Sequence, residues 1–248
     1  MNPKISICIA TYNGAKYLRT QLISIMNQLS CYDEVVIVDD SSTDNTIEII
    51  LSINDSRIRL YKTKKNSGHI NAFEKSIELA LGEIIILSDQ DDIWSPEKYN
   101  ELISTFKNFP ETIMIVHGLS LINSDGVLIS EEWLRFKDEF PSRGIYLIRQ
   151  MLKSSVFGSA LAFRRNLVDL LLPFPRFVYA HDHWITIASA LRGKIRLNSG
   201  QLTLRRIHGE NVTPLERLPL YKGIYNRSIF IWLIIVGLAR IAKTIFFK

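Results

Sequence analysis

The sequence predicts an α/β protein: a mostly parallel sheet flanked by helices, followed by a basic, apolar C-terminal helix. Three observations carry that expectation. Short runs of branched apolar residues alternate with stretches of helical periodicity through residues 4–100. Several of these runs break off into polar clusters, the most pronounced being three aspartates just after Ile84-Ile85-Ile86-Leu87. The last stretch, residues 216–248, combines a long apolar segment with lysines and arginines and has one acidic residue, Glu216.

The elements follow in order. Lys4–Ala10 reads as a strand, and Leu18, Leu22, Ile25 and Leu29 give helical spacing to the segment that starts at Ala15. Glu34–Asp39 is a second strand, Asp44–Leu51 a helix opened by capping residues among Ser41–Asn45, and Ile58–Lys62 a third strand. Ile70–Leu81 carries Phe73, Ile77 and Ala80 on one face and ends at Gly82. Glu83–Ser88 completes a βαβαβαβ order, which requires parallel strands and right-handed crossovers. Pro96–Asn108 is then a helix begun by Ser95-Pro96-Glu97, and Thr112–His117 a strand that turns at Asn123-Ser124-Asp125-Gly126. Residues 131–155 read as loop and helix without a clear fold. Ser159–Phe163 and Leu202–Ile207 read as strands, with a helix after His181. A single continuous domain over residues 1–215 is expected, with its later half, 101–215, closing over a site built by residues 1–100.

Composition narrows the class. A hydrophobic fraction of 47% and a charged fraction of 22% suit a folded chain and exclude global disorder. Cys8 lies within a strand pattern and Cys31 far from it, without metal-ligand spacing, which favours reduced thiols and a cytoplasmic location. No leader is expected at the N-terminus. Residues 201–248 hold eight Lys or Arg and two Glu, while the first 200 hold 22 basic and 23 acidic residues. That asymmetry argues for a local anionic partner and against general nucleic-acid binding. With Trp232 in the apolar run and Arg240 and Lys243 close behind, the tail is expected to lie on a membrane surface; docking on the protein's own core is the alternative.

The richest chemistry lies in Ser88-Asp89-Gln90-Asp91-Asp92-Ile93-Trp94. Three carboxylates in four positions repel one another unless a cation sits among them, so a hard divalent metal at Asp89 and Asp91 is the natural reading, beside that of an acidic turn opening a helix. Thr11-Tyr12-Asn13-Gly14, Asp39-Asp40-Ser41-Ser42-Thr43-Asp44 and Asn66-Ser67-Gly68-His69 follow the first three strands. Parallel strands bring their carboxyl ends to one edge, where open α/β sheets bind ligands, so these clusters should meet the aspartates in one cleft.

Together, Ser6–Gly14, Val36–Thr46, Asn66-Ser67-Gly68 and Ser88–Trp94 resemble the inverting glycosyltransferases of family 2, in their bacterial polysaccharide and rhamnosyltransferase-like members. The resemblance implies the GT-A nucleotide-sugar-binding fold. It also implies a UDP- or dTDP-sugar donor, a glycan or polyprenyl-diphosphate-linked acceptor, and work at the inner face of the plasma membrane. In it, Thr11, Tyr12 and Asn13 line the nucleotide pocket with Asn66 and Gly68, and Asp40 accepts a hydrogen bond from the pyrimidine. Asp89 lies near ribose and metal, Asp91 binds Mn²⁺ or Mg²⁺ with His208 as a further ligand, and Arg206 contacts the diphosphate, with Lys64 and Arg205 as auxiliaries. Asp182 matches the general base, although His181 stands where the family more often has an acid. The Gln-x-x-Arg-Trp signature of processive members is absent, which implies addition of one or few sugars. A non-catalytic nucleotide-sugar-binding or scaffold subunit is the competing expectation.

Overall fold

A computed structural model describes residues 5–152, 156–209 and 220–246. The first half alternates as β1 (Ile5–Thr11), α1 (Ala15–Met26), β2 (Glu34–Asp39), α2 (Thr46–Ile53), β3 (Ile58–Lys62), α3 (His69–Leu79) and β4 (Ile84–Ser88). Strands β2 and β4 are buried along their whole length, which is why they read as unbroken apolar runs and not as alternation. The second half adds β5 (Ile93–Trp94), α4 (Lys98–Asn108), β6 (Thr112–Ile122), β7 (Leu128–Leu134), α5 (Arg143–Leu152), β8 (Leu161–Arg164), α6 (Val168–Leu171), α7 (His181–Arg192), β9 (Lys194–Arg206) and α8 (Leu220–Phe246).

One sheet holds all the strands in the order β3-β2-β1-β4-β8-β6-β9-β5, with β7 on β6. The β3-β2-β1-β4 half is parallel. Beyond it the sheet is mixed: β8 runs antiparallel to both β4 and β6, β9 is parallel to β6, and the two-residue β5 is antiparallel to β9. The expected turn at Asn123 is present, with Gly126 N–H donating to Asn123 O at 3.0 Å and Asn123 Oδ1 accepting from Asp125 and Val127. Two cores flank the sheet. Leu18, Leu22 and Ile25 of α1 pack on one face with Leu102 and Phe106 of α4, and Phe73, Ile77, Trp184 and Ile185 of α3 and α7 on the other.

The C-terminal helix departs from expectation. Instead of lying free, α8 lays Ile229, Phe230 and Leu233 against the α7 side of the core. Arg240, read from the sequence as part of a membrane-facing basic flank, turns inward over the Trp184 ring at 5.2 Å and donates to the carbonyls of Leu170, Leu171 and Pro173 at 2.8, 3.0 and 2.6 Å. Burying each of the three apolar side chains contributes about 1.5–3 kcal/mol, enough to favour docking over detachment. No helix of the described residues is long and apolar enough to cross a membrane. The boundary expected at residues 215 and 216 lies outside the described residues.

Candidate active site

The carboxyl ends of β1, β2 and β4 open on one edge, and the turns that follow them interlock. After β1, Asn13 adopts φ 48° and, after β2, Ser41 adopts φ 66°. Such left-handed residues cost about 1–3 kcal/mol unless neighbours hold them. Here Asn13 N–H donates to Ser42 Oγ at 2.9 Å and Asn13 Oδ1 accepts from Thr43 N–H at 2.9 Å. Asn13 is thus a brace between the two turns. The backbone of Tyr12 is gripped by Gln90, whose Oε1 accepts from Tyr12 N–H at 2.9 Å and whose amide donates back to Tyr12 O at 3.2 Å. The Tyr12 side chain is left exposed on the rim, and Thr11 Oγ1 faces buried Asp39 at 3.2 Å.

Asp40 does something the sequence did not suggest. Its carboxylate accepts from Ser67 N–H at 2.9 Å, Gly68 N–H at 2.7 Å, Ser67 Oγ at 2.9 Å and Thr63 Oγ1 at 3.0 Å. Asp40 thereby builds the wall formed by residues 63–68, and the hydrogen bond expected from a pyrimidine would share the carboxylate with these donors. Gly68 sits at φ 91°, a conformation side chains rarely adopt, and this lets its N–H turn toward Asp40. Burial pushes the Asp40 carboxyl up, but the hydrogen bonds from Ser67, Thr63 and Gly68 outweigh it and hold the group below its ordinary value. Asn66 Oδ1 also accepts from Gly68 N–H, at 3.1 Å, and Lys64 stays exposed beside it.

Past β4 the chain turns through the aspartates. Burial, then repulsion from Asp91, pushes the Asp89 carboxyl well above the usual range; burial and the charge of Asp89 do the same to Asp92, and burial and Asp92 raise Asp91. His208 Nε2 lies 2.8 Å from Asp91 Oδ2, joining the end of β9 to this turn. Among the described residues no three His, Cys, Asp or Glu side chains converge as a ready-made metal cage; of the expected set of Asp89, Asp91 and His208, Asp91 and His208 are in direct contact. One Asp92 oxygen accepts from Arg206 N–H at 3.0 Å.

Three cations answer this charge, in ways only the fold reveals. Lys98 is fully buried; its ammonium donates to Ser159 O at 2.9 Å and Thr203 Oγ1 at 2.7 Å and lies over the Trp94 ring at 4.6 Å. Burial lowers its proton affinity, and the charges of Asp92 and Asp89 oppose that. Arg205 lies between the rings of Trp133 and Phe157, and its charge lowers both Asp89 and Asp92. Arg206, the arginine expected at the diphosphate, holds the chain instead: it donates to the carbonyls of Asp91, Asn123 and Ser124 at 2.9, 3.1 and 3.1 Å and covers Tyr17 at 4.7 Å. Of the two arginines, Arg205 is the better placed to act on the acids. Lys98 was not legible as a site residue, because a lysine in the first turn of an amphipathic helix ordinarily points to water.

Asp182 stands in the first turn of α7, where Oδ1 accepts from His183 N–H at 2.8 Å. Its charge is among those that raise Asp89, so the candidate base and the acidic turn share one electrostatic environment. His181 points into the core, stacked on Phe73 at 4.2 Å and pressed against Gly158, and neither ring nitrogen has a hydrogen-bond partner among the described residues. Burial lowers its pKa to about 4, so it is a neutral ring and no substitute for an acid. His183 Nδ1 is bonded to the Tyr179 hydroxyl.

With this geometry in hand, comparison with known proteins is decisive. The Glycosyl transferase family 2 model matches residues 6–171. The chain belongs to that family. An uncharacterized glycosyltransferase of Nostoc sp. is 30% identical over 217 residues, covering 84% of this chain and 66% of its own length. A putative teichuronic acid biosynthesis glycosyltransferase of Bacillus subtilis, TuaG, is 31% identical over 126 residues, half of each protein. The Escherichia coli enzyme WfgD, a UDP-Glc:α-D-GlcNAc-diphosphoundecaprenol β-1,3-glucosyltransferase, is 26% identical over 185 residues, 74% of this chain and 68% of that one. The chain thus spans between half and about two thirds of these relatives. Among solved structures, Staphylococcus aureus TarS with UDP-GlcNAc superposes with a TM-score of 0.73 at 21% identity, over 96% of this chain and 72% of that one, which establishes the GT-A architecture.

Proposed function

We propose that this chain is an inverting glycosyltransferase that moves a sugar from a UDP- or dTDP-linked donor to a glycan or polyprenyl-diphosphate-linked acceptor in bacterial surface polysaccharide assembly, at the inner face of the plasma membrane. One observation supports the reading: the charge of Asp182, in the first turn of α7, is among those that raise Asp89 in the turn after β4, so two acids widely separated in sequence lie within electrostatic reach of one another. WfgD's diphosphoundecaprenol acceptor and the UDP-GlcNAc in the TarS structure support the substrate classes.

In this reading the 11–14 turn, the 63–68 wall and Tyr12 hold the nucleotide. Asp91 and His208 offer one carboxylate oxygen and one imidazole nitrogen at 2.8 Å. Few protein ligands plus phosphate oxygens and water is what Mg²⁺ or Mn²⁺ accepts at a diphosphate, so the donor set fits such an ion. Bound there, the ion would neutralise charge on the departing diphosphate. Asp182 removes the proton of the acceptor hydroxyl as that oxygen attacks the anomeric carbon opposite the diphosphate, which inverts the configuration. Lys98 and Arg205 keep the acids from repelling one another while the cleft is unliganded.

Purified protein with Mn²⁺ and a panel of nucleotide sugars tests this. Release of nucleoside diphosphate, stimulated by an acceptor glycolipid, is expected. Failure to bind, hydrolyse or transfer any donor would sink it, and binding without transfer would point to a scaffold subunit.

A further inference from the structure

The outer side of α8 is apolar. With Ile229, Phe230 and Leu233 set into the core, α8 turns Ile231, Trp232, Ile235 and Leu238 outward, Ile235 and Leu238 being 59% and 52% exposed. The segment before α7 extends this stripe: Phe177, 71% exposed, meets Trp232 edge to face at 5.9 Å. Arg176, Arg227 and Lys243 are exposed on the same segments, and α8 contains no Asp or Glu. An apolar protein partner accounts for the stripe but leaves those cations unanswered. A lipid headgroup layer carrying negative charge answers both at once, since aliphatic side chains and tryptophan enter the acyl boundary while arginine and lysine stay with the headgroups.

We propose that the outer side of α8, together with Arg176 and Phe177, seats the protein on a bilayer that contains anionic lipid. The docked helix is therefore a rigid part of the domain presenting one face, and Arg240, which holds it from inside, contributes nothing to lipid binding. This orientation has a consequence for the cleft, which rests on the transfer reading above. Arg176 and Phe177 also line a cavity of about 360 Å³ with Ser67, His69, Glu74 and Phe174. The charge of Asp182 reaches His69. The cavity shares Arg176 and Phe177 with the lipid-facing surface, and its His69 lies 5.8 Å from the ring of His181, the neighbour of Asp182, so an acceptor whose tail stays in the bilayer is brought close to the start of α7.

Flotation of the full chain with vesicles tests the surface. The wild type is expected to rise with phosphatidylcholine vesicles containing phosphatidylglycerol and to rise far less with phosphatidylcholine alone or in high salt. The Ile235→Asp/Leu238→Asp variant should lose about tenfold or more of its bound fraction with an unchanged melting temperature. If that variant does not fold, Arg176→Gln/Lys243→Gln, changed only at exposed positions, should still lower binding to the anionic vesicles severalfold. Three results would overturn the proposal: wild type that stays at the bottom with anionic vesicles, apolar-face variants that float like wild type, or a wild-type dimer in sedimentation that Ile235→Asp/Leu238→Asp dissociates without any vesicle binding. Transfer to a soluble acceptor separates the two readings. A protein that transfers without floating loses only this surface, and one that floats without transferring loses only the proposed chemistry.

Discussion

Replacing Asp40 with Asn tests how the wall of residues 63–68 is held. The amide keeps an oxygen for one set of partners but places an NH₂ where Gly68 N–H, at 2.7 Å, and Ser67 N–H, at 2.9 Å, now donate. A hydrogen bond to a charged group is worth about 1.5–3 kcal/mol, and here one is removed outright, a second is weakened, and water recovers part of both at this part-buried loop. The expected loss is about 2 kcal/mol, which lowers the melting temperature of a chain this long by about 4–8 °C. The pH dependence is a separate check. Because the folded carboxyl titrates below its ordinary 3.8, its contribution is complete above that value and vanishes as pH falls through the lower folded one. Urea unfolding from pH 7 to pH 3 should show wild type and Asp40→Asn separated at the neutral end and converging at the acid end. A melting shift under about 1 °C, or a gap that does not narrow in acid, would refute the account of Asp40 as an anchor for residues 63–68.

Four further outcomes can be measured. Asp182→Asn should lower kcat by about 10²–10⁴-fold with KM little changed, seen in steady-state transfer assays. Asp91→Asn should cost about 10³-fold in metal-stimulated turnover while leaving the melting curve in place, and chelation by EDTA should reduce wild type to a similar level. Lys98 titrates at about 7 when folded and 10.5 when free, so the unfolded chain binds more protons between those values and stability rises with pH there; Lys98→Met should flatten that rise in urea titrations. Phe230→Ala should destabilise the protein by about 3–5 kcal/mol if α8 is docked, and by almost nothing if the helix is detached in solution.

The parallel half of the sheet was legible because its strands are short, buried on both faces and separated by helices with clear periodicity; β2 and β3 carry the boundaries expected for them. The later half was harder for a physical reason. Strands β6 and β9 run through polar residues, His117 and Ser120 in one and Asn198 and Thr203 in the other, all buried by neighbours far away in sequence. Their pairing also shifts register near Gly118, which erases any period of two. The two residues of β5 are too few to show a pattern at all. The acids at the strand ends were equally legible, whereas Lys98, Gln90 and Arg205 act through partners the chain reaches only by folding. The docking of α8 belongs to the same class, since an apolar stripe does not say whether protein or lipid will cover it.

The stitching of Asp91 and Asp92 to Arg206 and His208 ties a turn near the first third of the chain to a strand tip more than a hundred residues later. Loop-closure entropy sets the order in which such a structure can grow: the parallel β3-β2-β1-β4 half closes through contacts near in sequence, while the acidic turn is locked only once β9 is in place. A fragment stopping before β9 should therefore leave Asp91 and Asp92 without the groups that hold them.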